Sequence, residues 1–165
     1  MIEEISIKKY PSFALQSFDC GEEKLNIFLH SFAKQNDARG LGRTFLLIEN
    51  DEVIGFYTLS SAQIEFGSLP VGLSKRLPRY PLPAIRIARL AVSKSHQGKG
   101  CGATLLRHAF KRIVLAAVNA GVAFVLVDAK DQATSFYEHY GFVRLEKEGN
   151  TFVLPIETVL KALMK

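Results

Sequence analysis

The chain has 165 residues, 48% of them hydrophobic and 22% charged, with a formal net charge of +5. That is the size and composition of one globular domain with room for a substantial core. The opening Met1-Ile2-Glu3-Glu4 is not a basic-then-apolar leader, and the longest near-apolar stretch, Ile113 to Val127, is interrupted by Asn119 and Gly121. It falls short of the roughly 18 residues that span a bilayer, so the expectation is a cytoplasmic protein with no membrane partner. Cys20 and Cys101 lie far apart and lack metal-ligand spacing, which argues against a disulfide framework or a metal site. The positive charge gathers in two stretches, Lys34 to Arg43 and Lys75 to Arg89, and leaves acidic ligands open.

In chain order, Met1 to Lys9 reads as a short strand. From Glu22, Leu25, Phe28, Leu29, Phe32 and Ala33 recur at helical spacing, with Asp19 and Gly21 as start signals. Gln35 to Gly42 reads as a loop. Thr44 to Glu49 and Val53 to Ser61 form a hairpin around Asn50-Asp51, with Gly55 marking a bend and a further strand over Ala62 to Phe66. Gly67 to Pro83 carries four prolines and cannot be a central strand or a long helix.

Ala84 to Val92 reads as a central strand, followed by a glycine-rich turn, a helix ended by Gly121, and the apolar strand Val122 to Val127. Strand, helix, strand in this order predicts a right-handed crossover with parallel strands. Asp131 is placed to cap a short helix to Tyr140, ended by Gly141. Phe142 to Leu145 and Thr151 to Pro155 then pair around Glu148-Gly149-Asn150, and Leu160 and Leu163 belong to a closing helix turn.

The chemistry concentrates in the turn Gln97-Gly98-Lys99-Gly100-Cys101-Gly102. Free amides at a helix start, the helix dipole and glycine's tolerance of close approach make it an anion cradle. It satisfies neither the dinucleotide fingerprint nor a P-loop. It does match Gln-x-x-Gly-x-Gly, and Ala133-Thr134-Ser135-Phe136-Tyr137 with Tyr140-Gly141-Phe142 follows about 30 residues on. With these motifs the chain resembles the GNAT superfamily of acetyl-CoA-dependent N-acetyltransferases, most strongly over Ile85 to Leu145.

The resemblance implies one GNAT domain over residues 1–165, an α/β (α+β) fold whose central mixed, mostly antiparallel sheet has splayed middle strands and flanking helices. It implies acetyl-CoA as acetyl donor and no metal. Gln97, Gly98, Lys99, Gly100, Cys101, Gly102 and Ala103 would bind the cofactor pyrophosphate, Leu90, Ala91 and Val92 its pantetheine arm, with Phe136 alongside. Tyr137 matches the tyrosine that protonates the departing thiolate, a role that suits a phenol with a pKa near 10. A core aromatic at Tyr137 and a plain helix-entry turn at the glycines are the alternatives.

Two departures matter. Lys130 stands where many relatives have Asn, and Ile85 to Val92 holds no Glu where some carry a general base. A lysine amine, pKa about 10.4, is almost wholly protonated at neutral pH, whereas an α-amine near 7.7 is not, so a missing base favours an α-amine acceptor.

A narrower resemblance agrees. Phe18-Asp19-Cys20, Leu25-Asn26-Ile27-Phe28-Leu29, Ile54-Gly55-Phe56-Tyr57-Thr58-Leu59, Arg89-Leu90-Ala91-Val92 and Val127-Asp128-Ala129-Lys130 look like the GNAT toxins of bacterial type II toxin-antitoxin pairs. That resemblance implies acetylation of the α-amine of aminoacyl-tRNA, blocked translation, a homodimer and a ribbon-helix-helix antitoxin. Lys34, Arg39, Arg43, Lys75, Arg76, Arg79, Arg86 and Arg89 are then candidates for RNA phosphates. Two rival readings stay open: a housekeeping GNAT acting on a protein N-terminus, lysine or small amine, and a silent CoA-binding or RNA-binding module.

Overall fold

Apolar β-rich runs and turn chemistry organise the first part of the chain. The computed structural model describes residues 1–145 and 149–164. Strand β1 (Glu3–Ser6) pairs antiparallel with β2 (Arg43–Glu49), and β2 with β3 (Glu52–Ile64). Asn50 and Asp51 connect β2 to β3 at φ 52° and 62°. Two left-handed residues in a two-residue loop make the turn whose twist matches its strands. The register slips between Leu47 and Ile48, so Leu47 faces Gly55 while Ile48 faces Val53. A Cβ on Gly55 would stand 3.0 Å from the Ala91 carbonyl oxygen, which is why the bulge carries glycine. The further strand expected over Ala62 to Phe66 continues directly from the second, as the end of the 13-residue β3.

The single amphipathic helix expected from Glu22 is three pieces. These are α1 (Glu23–Ile27), a π-helical turn Phe28–Phe32, and α2 (Ala33–Ala38). The wide turn shifts the apolar stripe, burying Phe28, Leu29 and Ala33 but leaving Phe32 46% exposed. Asp19 does not cap α1. Its carboxylate accepts from the Gly21 amide and Asn26 Nδ2, each at 2.9 Å, and Glu22 holds the cap position with no side-chain bond.

Asp37 ties α2 to β2. Its side chain is 1% exposed, Oδ2 accepts from the Thr44 amide at 3.0 Å, and Oδ1 lies 3.2 Å from Arg43 and 3.5 Å from Lys8. Asp37→Ala orphans a buried amide and two cations. We expect a loss of about 2–3 kcal/mol, read as a melting temperature lowered by roughly 5–10 °C.

The chain forms two compact units, Met1–Ser60 with Ala88–Ala109, and Ser61–Ile87 with Phe110–Lys165. In the first, Ile7, Leu15, Leu29 and Leu46 pack with Phe56, which Phe18 meets edge-on at 5.5 Å. In the second, Ile64, Leu82, Phe124, Leu126 and Val153 form the core. Within 67–83 only the four-residue α3 (Val71–Ser74) is helical.

Strand β4 (Leu82–Val92) precedes α4 (Cys101–Asn119), and β4 pairs parallel with β5 (Phe124–Asp128). This register runs from Ala84 opposite Phe124 to Ile87 opposite Val127, and Ala88–Val92 continue past it. After α5 (Thr134–His139), β6 (Val143–Arg144) and β7 (Thr151–Pro155) add antiparallel pairs, and α6 (Ile156–Leu163) follows. The strand order is β1-β2-β3-β4-β5-β7-β6, the mixed, mostly antiparallel sheet read from the sequence.

Two helix ends differ from expectation. Gly121 is not left-handed, and α4 closes at Asn119. Asp131 does not cap α5: its residues open a 3-10 turn, and its carboxylate accepts from Asn150 Nδ2. The Glu148 of the expected hairpin loop lies outside the described residues.

Candidate active site

In the first unit the elements converge on the start of α4. Gly98 and Gly100 are left-handed at φ 77° and 84°, and a Cβ on either would meet no atom within 4 Å. Such a backbone turns successive amides outward into open space. The Gly100 carbonyl is taken by the Thr104 amide at 3.2 Å as α4 begins. A helix of 19 residues adds its positive end to this cradle. The residues therefore fit a pyrophosphate.

The Gln97 side chain holds the cradle in place. Its Nε2 donates to the carbonyls of Cys20 and Val92, each at 2.9 Å, anchoring the turn to the end of β4. Cys101 is buried and free, as is Cys20. Leu90, Ala91 and Val92 lie on the part of β4 beyond its β5 register, and the Val92 carbonyl is the one that Gln97 takes. The Arg89 guanidinium carbon lies over Phe28, 3.6 Å from the ring centroid, and burial lowers its guanidinium pKa.

In the second unit α5 carries Phe136 and Tyr137. Tyr137 is 5% exposed, edge-on to Phe136 at 5.1 Å and to Phe142 at 5.5 Å. Its hydroxyl makes no hydrogen bond among the described residues, and no buried side-chain polar atom there lacks a partner. The hydroxyl oxygen accordingly reaches the accessible surface while the ring is enclosed. Burial raises the phenol pKa well above its ordinary value, so the group stays protonated.

Gly141, at φ 93°, ends α5. Its amide donates to the Glu138 carbonyl at 3.0 Å and the Phe142 amide to the Tyr137 carbonyl at 3.2 Å. This pair of bonds is the Schellman closure, and it places Phe142 against the Tyr137 ring.

The basic candidates divide by what they touch. Lys34 donates to the Tyr10 carbonyl, Arg43 pairs with Asp37 and Arg86 with Asp128. Arg79 lies 5.8 Å from the Phe66 ring centroid, while Arg39, Lys75 and Arg76 are exposed. Sequence reasoning did not single out Glu65 or Thr151, which share a cleft with Arg86 and Asp128. Among the described residues no group of three or more His, Cys, Asp or Glu could hold a metal ion. No helix there is long and apolar enough to cross a membrane.

The family model for an acetyltransferase (GNAT) domain matches residues 40–144. This chain belongs to the GNAT acetyltransferase family.

Its GNAT relatives are specific in kind. A tRNA-acetylating toxin of Mycobacterium tuberculosis is 38% identical over 127 residues, covering 76% of this chain and 76% of that protein. The solved structure of AtaT complexed with acetyl-methionyl-tRNAfMet has a TM-score of 0.89 at 30% identity and covers 100% of both chains. A tyrosine-to-phenylalanine mutant of AtaT, bound to the C-terminus of the antitoxin AtaR and acetyl-CoA, has a TM-score of 0.84 at 28% identity, with 99% of both chains covered.

Proposed function

We propose that this GNAT chain is the toxin of a type II toxin-antitoxin pair, acetylating the α-amino group of aminoacyl-tRNA with acetyl-CoA and so blocking translation. The observation that supports it most directly is the open amide cradle at the head of α4, built on left-handed Gly98 and Gly100. The M. tuberculosis relative that acetylates tRNA and the AtaT complex with acetyl-methionyl-tRNAfMet support the choice of acceptor.

Each residue then has one task. The backbone amides of Gly98, Lys99, Gly100, Cys101, Gly102 and Ala103 hold the pyrophosphate, with Gln97 fixing their turn. The main chain of Leu90, Ala91 and Val92 pairs with the pantetheine arm, and Phe136 borders it. Bound acetyl-CoA supplies an acetyl thioester. Tyr137 presents a phenol proton to the sulfur as negative charge grows there. Ile85 to Val92 holds no carboxylate base, so the amine must arrive neutral, which an α-amine with pKa near 7.7 does far more often than a lysine amine near 10.4. Holding both reactants together supplies much of the rate.

Arg39, Lys75, Arg76 and Arg79 are suited to RNA phosphates, since nothing acidic occupies them among the described residues. Lys34, Arg43, Arg86 and Arg89 are already engaged within the chain and contribute charge from fixed positions. The same reading makes residues 1–165 one acetyltransferase domain, working in the cytoplasm as a homodimer and neutralised by a ribbon-helix-helix antitoxin. The AtaR complex of a structural relative supports the antitoxin.

The test is to incubate the purified protein and acetyl-CoA with charged tRNA, beside lysine, small amines and peptide N-termini, and to identify products by mass spectrometry of nuclease digests. Acetylated aminoacyl-adenosine is the expected product. Acetylation confined to peptides or free amines would replace this reading with the housekeeping one.

A further inference from the structure

We propose that Asn26 is a positioning residue for acetyl-CoA, acting on the cradle at the head of α4 through Cys20 and Gln97. The inference rests on the acetyl-CoA reading of that cradle above, and every residue in it belongs to the first unit.

The chain of bonds begins in α1. Of the residues in this helix only Asn26 is buried, so α1 turns an amide inward where an apolar side chain would be usual. A buried amide is unfavourable unless both its ends are paired, and here both serve one short loop. Asn26 Oδ1 accepts from the Cys20 amide at 2.9 Å, and Nδ2 donates to Asp19 Oδ1 at 2.9 Å. The Gly21 amide donates to the same Asp19 oxygen, from a left-handed residue at φ 90°. Together these bonds set the course of residues 19–21.

That loop is tied to the cradle at two points. The Asp19 carbonyl accepts from the Lys94 amide at 2.9 Å, with Lys94 Nζ 3.4 Å from Asp19 Oδ2. The Cys20 carbonyl accepts from Gln97 Nε2 at 2.9 Å, and the same nitrogen donates to the Val92 carbonyl. Both donors of the Gln97 amide are thereby used, so Gln97 sits where Cys20 and Val92 put it. Val92 is held by β4, whereas Cys20 lies in no helix or strand and takes its place from Asn26. Gly98 follows Gln97 directly and opens the left-handed backbone of the cradle. The Asp19 carboxyl is held below the usual carboxylate range, first by the Gly21 amide and then by Asn26, so it stays ionised and accepts from Asn26 at neutral pH.

The experiment measures acetyl-CoA affinity of the whole protein by titration calorimetry, beside its melting temperature. Asn26→Asp keeps the acceptor for Cys20, loses the donor to Asp19 and sets a second carboxylate against the first. It should raise Kd about tenfold at about pH 8, and the ratio to wild type should fall below about threefold at about pH 5, where one proton shared by the two carboxylates restores the donor. Asn26→Ala removes both bonds beyond the reach of any proton, so its loss should be the same at both pH values; it also serves if the acidic variant does not fold. Gln97→Ala should weaken binding at least as much, and the double variant with Asn26→Ala should match Gln97→Ala alone, because Asn26 acts on the cradle through Gln97. Asp37→Ala is the stability control, with a lowered melting temperature and the wild-type Kd. The proposal is overturned by Asn26 variants that bind within about twofold of wild type, by losses that multiply in the double variant, or by an equal loss in Asp37→Ala, while the cradle itself stands. If the wild type binds no acetyl-CoA, the reading of the cradle falls and this one falls with it.

Discussion

Tyr137→Phe is expected to lower acetyl transfer by about 10²–10⁴-fold, the range for loss of a positioned proton donor. Phenylalanine keeps the ring contacts to Phe136 at 5.1 Å and Phe142 at 5.5 Å, and the deleted hydroxyl bonds to no described residue. Melting temperature and acetyl-CoA affinity should therefore change little, and steady-state kinetics beside calorimetry separates the outcomes. A variant with more than a third of wild-type turnover would remove Tyr137 from the mechanism.

Burial raises this phenol's pKa above its usual value near 10, which fixes the pH behaviour. The phenol stays protonated throughout the neutral and mildly alkaline range, so if it is the proton donor proposed above, wild-type turnover should show no alkaline decline below about pH 10 from this group. The rise on the acid side belongs to the acceptor amine losing its proton. The stability sign agrees: folding favours the neutral phenol, a contribution intact below the unfolded value and lost as pH climbs through the folded one.

The second large effect lies in the cradle. Gly98→Ala with Gly100→Ala should weaken acetyl-CoA binding by about 100-fold, because each position asks an L-residue to hold a left-handed backbone at a cost of roughly 1–2 kcal/mol. A Cβ at either site meets no atom within 4 Å, so no clash within the protein accounts for the loss. The turn relaxes and its amides lose their common aim. Gly40→Ala is the control, since Gly40 has a similar φ of 73° with equally open space but lies outside the cradle. Titration calorimetry should find its acetyl-CoA affinity near wild type. A double variant that binds as wild type does would show that the glycines serve the turn and not the ligand.

What was legible in the sequence was whatever a local pattern could encode. The β-rich run Thr44 to Glu49, the Asn50-Asp51 turn, the apolar run of β5 and the glycine that ends α5 all appear where composition and turn chemistry put them. The GNAT motifs found the loop and the tyrosine because each is a contiguous string. What stayed hidden depends on long-range partners. Nothing local marks the π turn that exposes Phe32. Asp131 resembles a cap, yet Asn150 takes its carboxylate from nineteen residues away. Arg86 reads as a free cation until β5 sets Asp128 beside it, and Lys34 and Arg43 become engaged in the same way.

The closure of α5 bears on which neighbours of Tyr137 can drift as the sequence changes. Its orientation is set by main-chain bonds from Gly141 and Phe142, whereas Ser135, Glu138 and His139 are exposed and contribute no side-chain hydrogen bond among the described residues. Those three positions can vary widely at little cost to the tyrosine. Gly141 cannot, because any other residue at φ 93° strains the turn, and unwinding it would release Phe142 from the ring it braces. Tolerance in this segment thus does not follow sequence distance: Ser135, Glu138 and His139 are free to vary, while Phe136, which packs on the ring, and the glycine four places away are held.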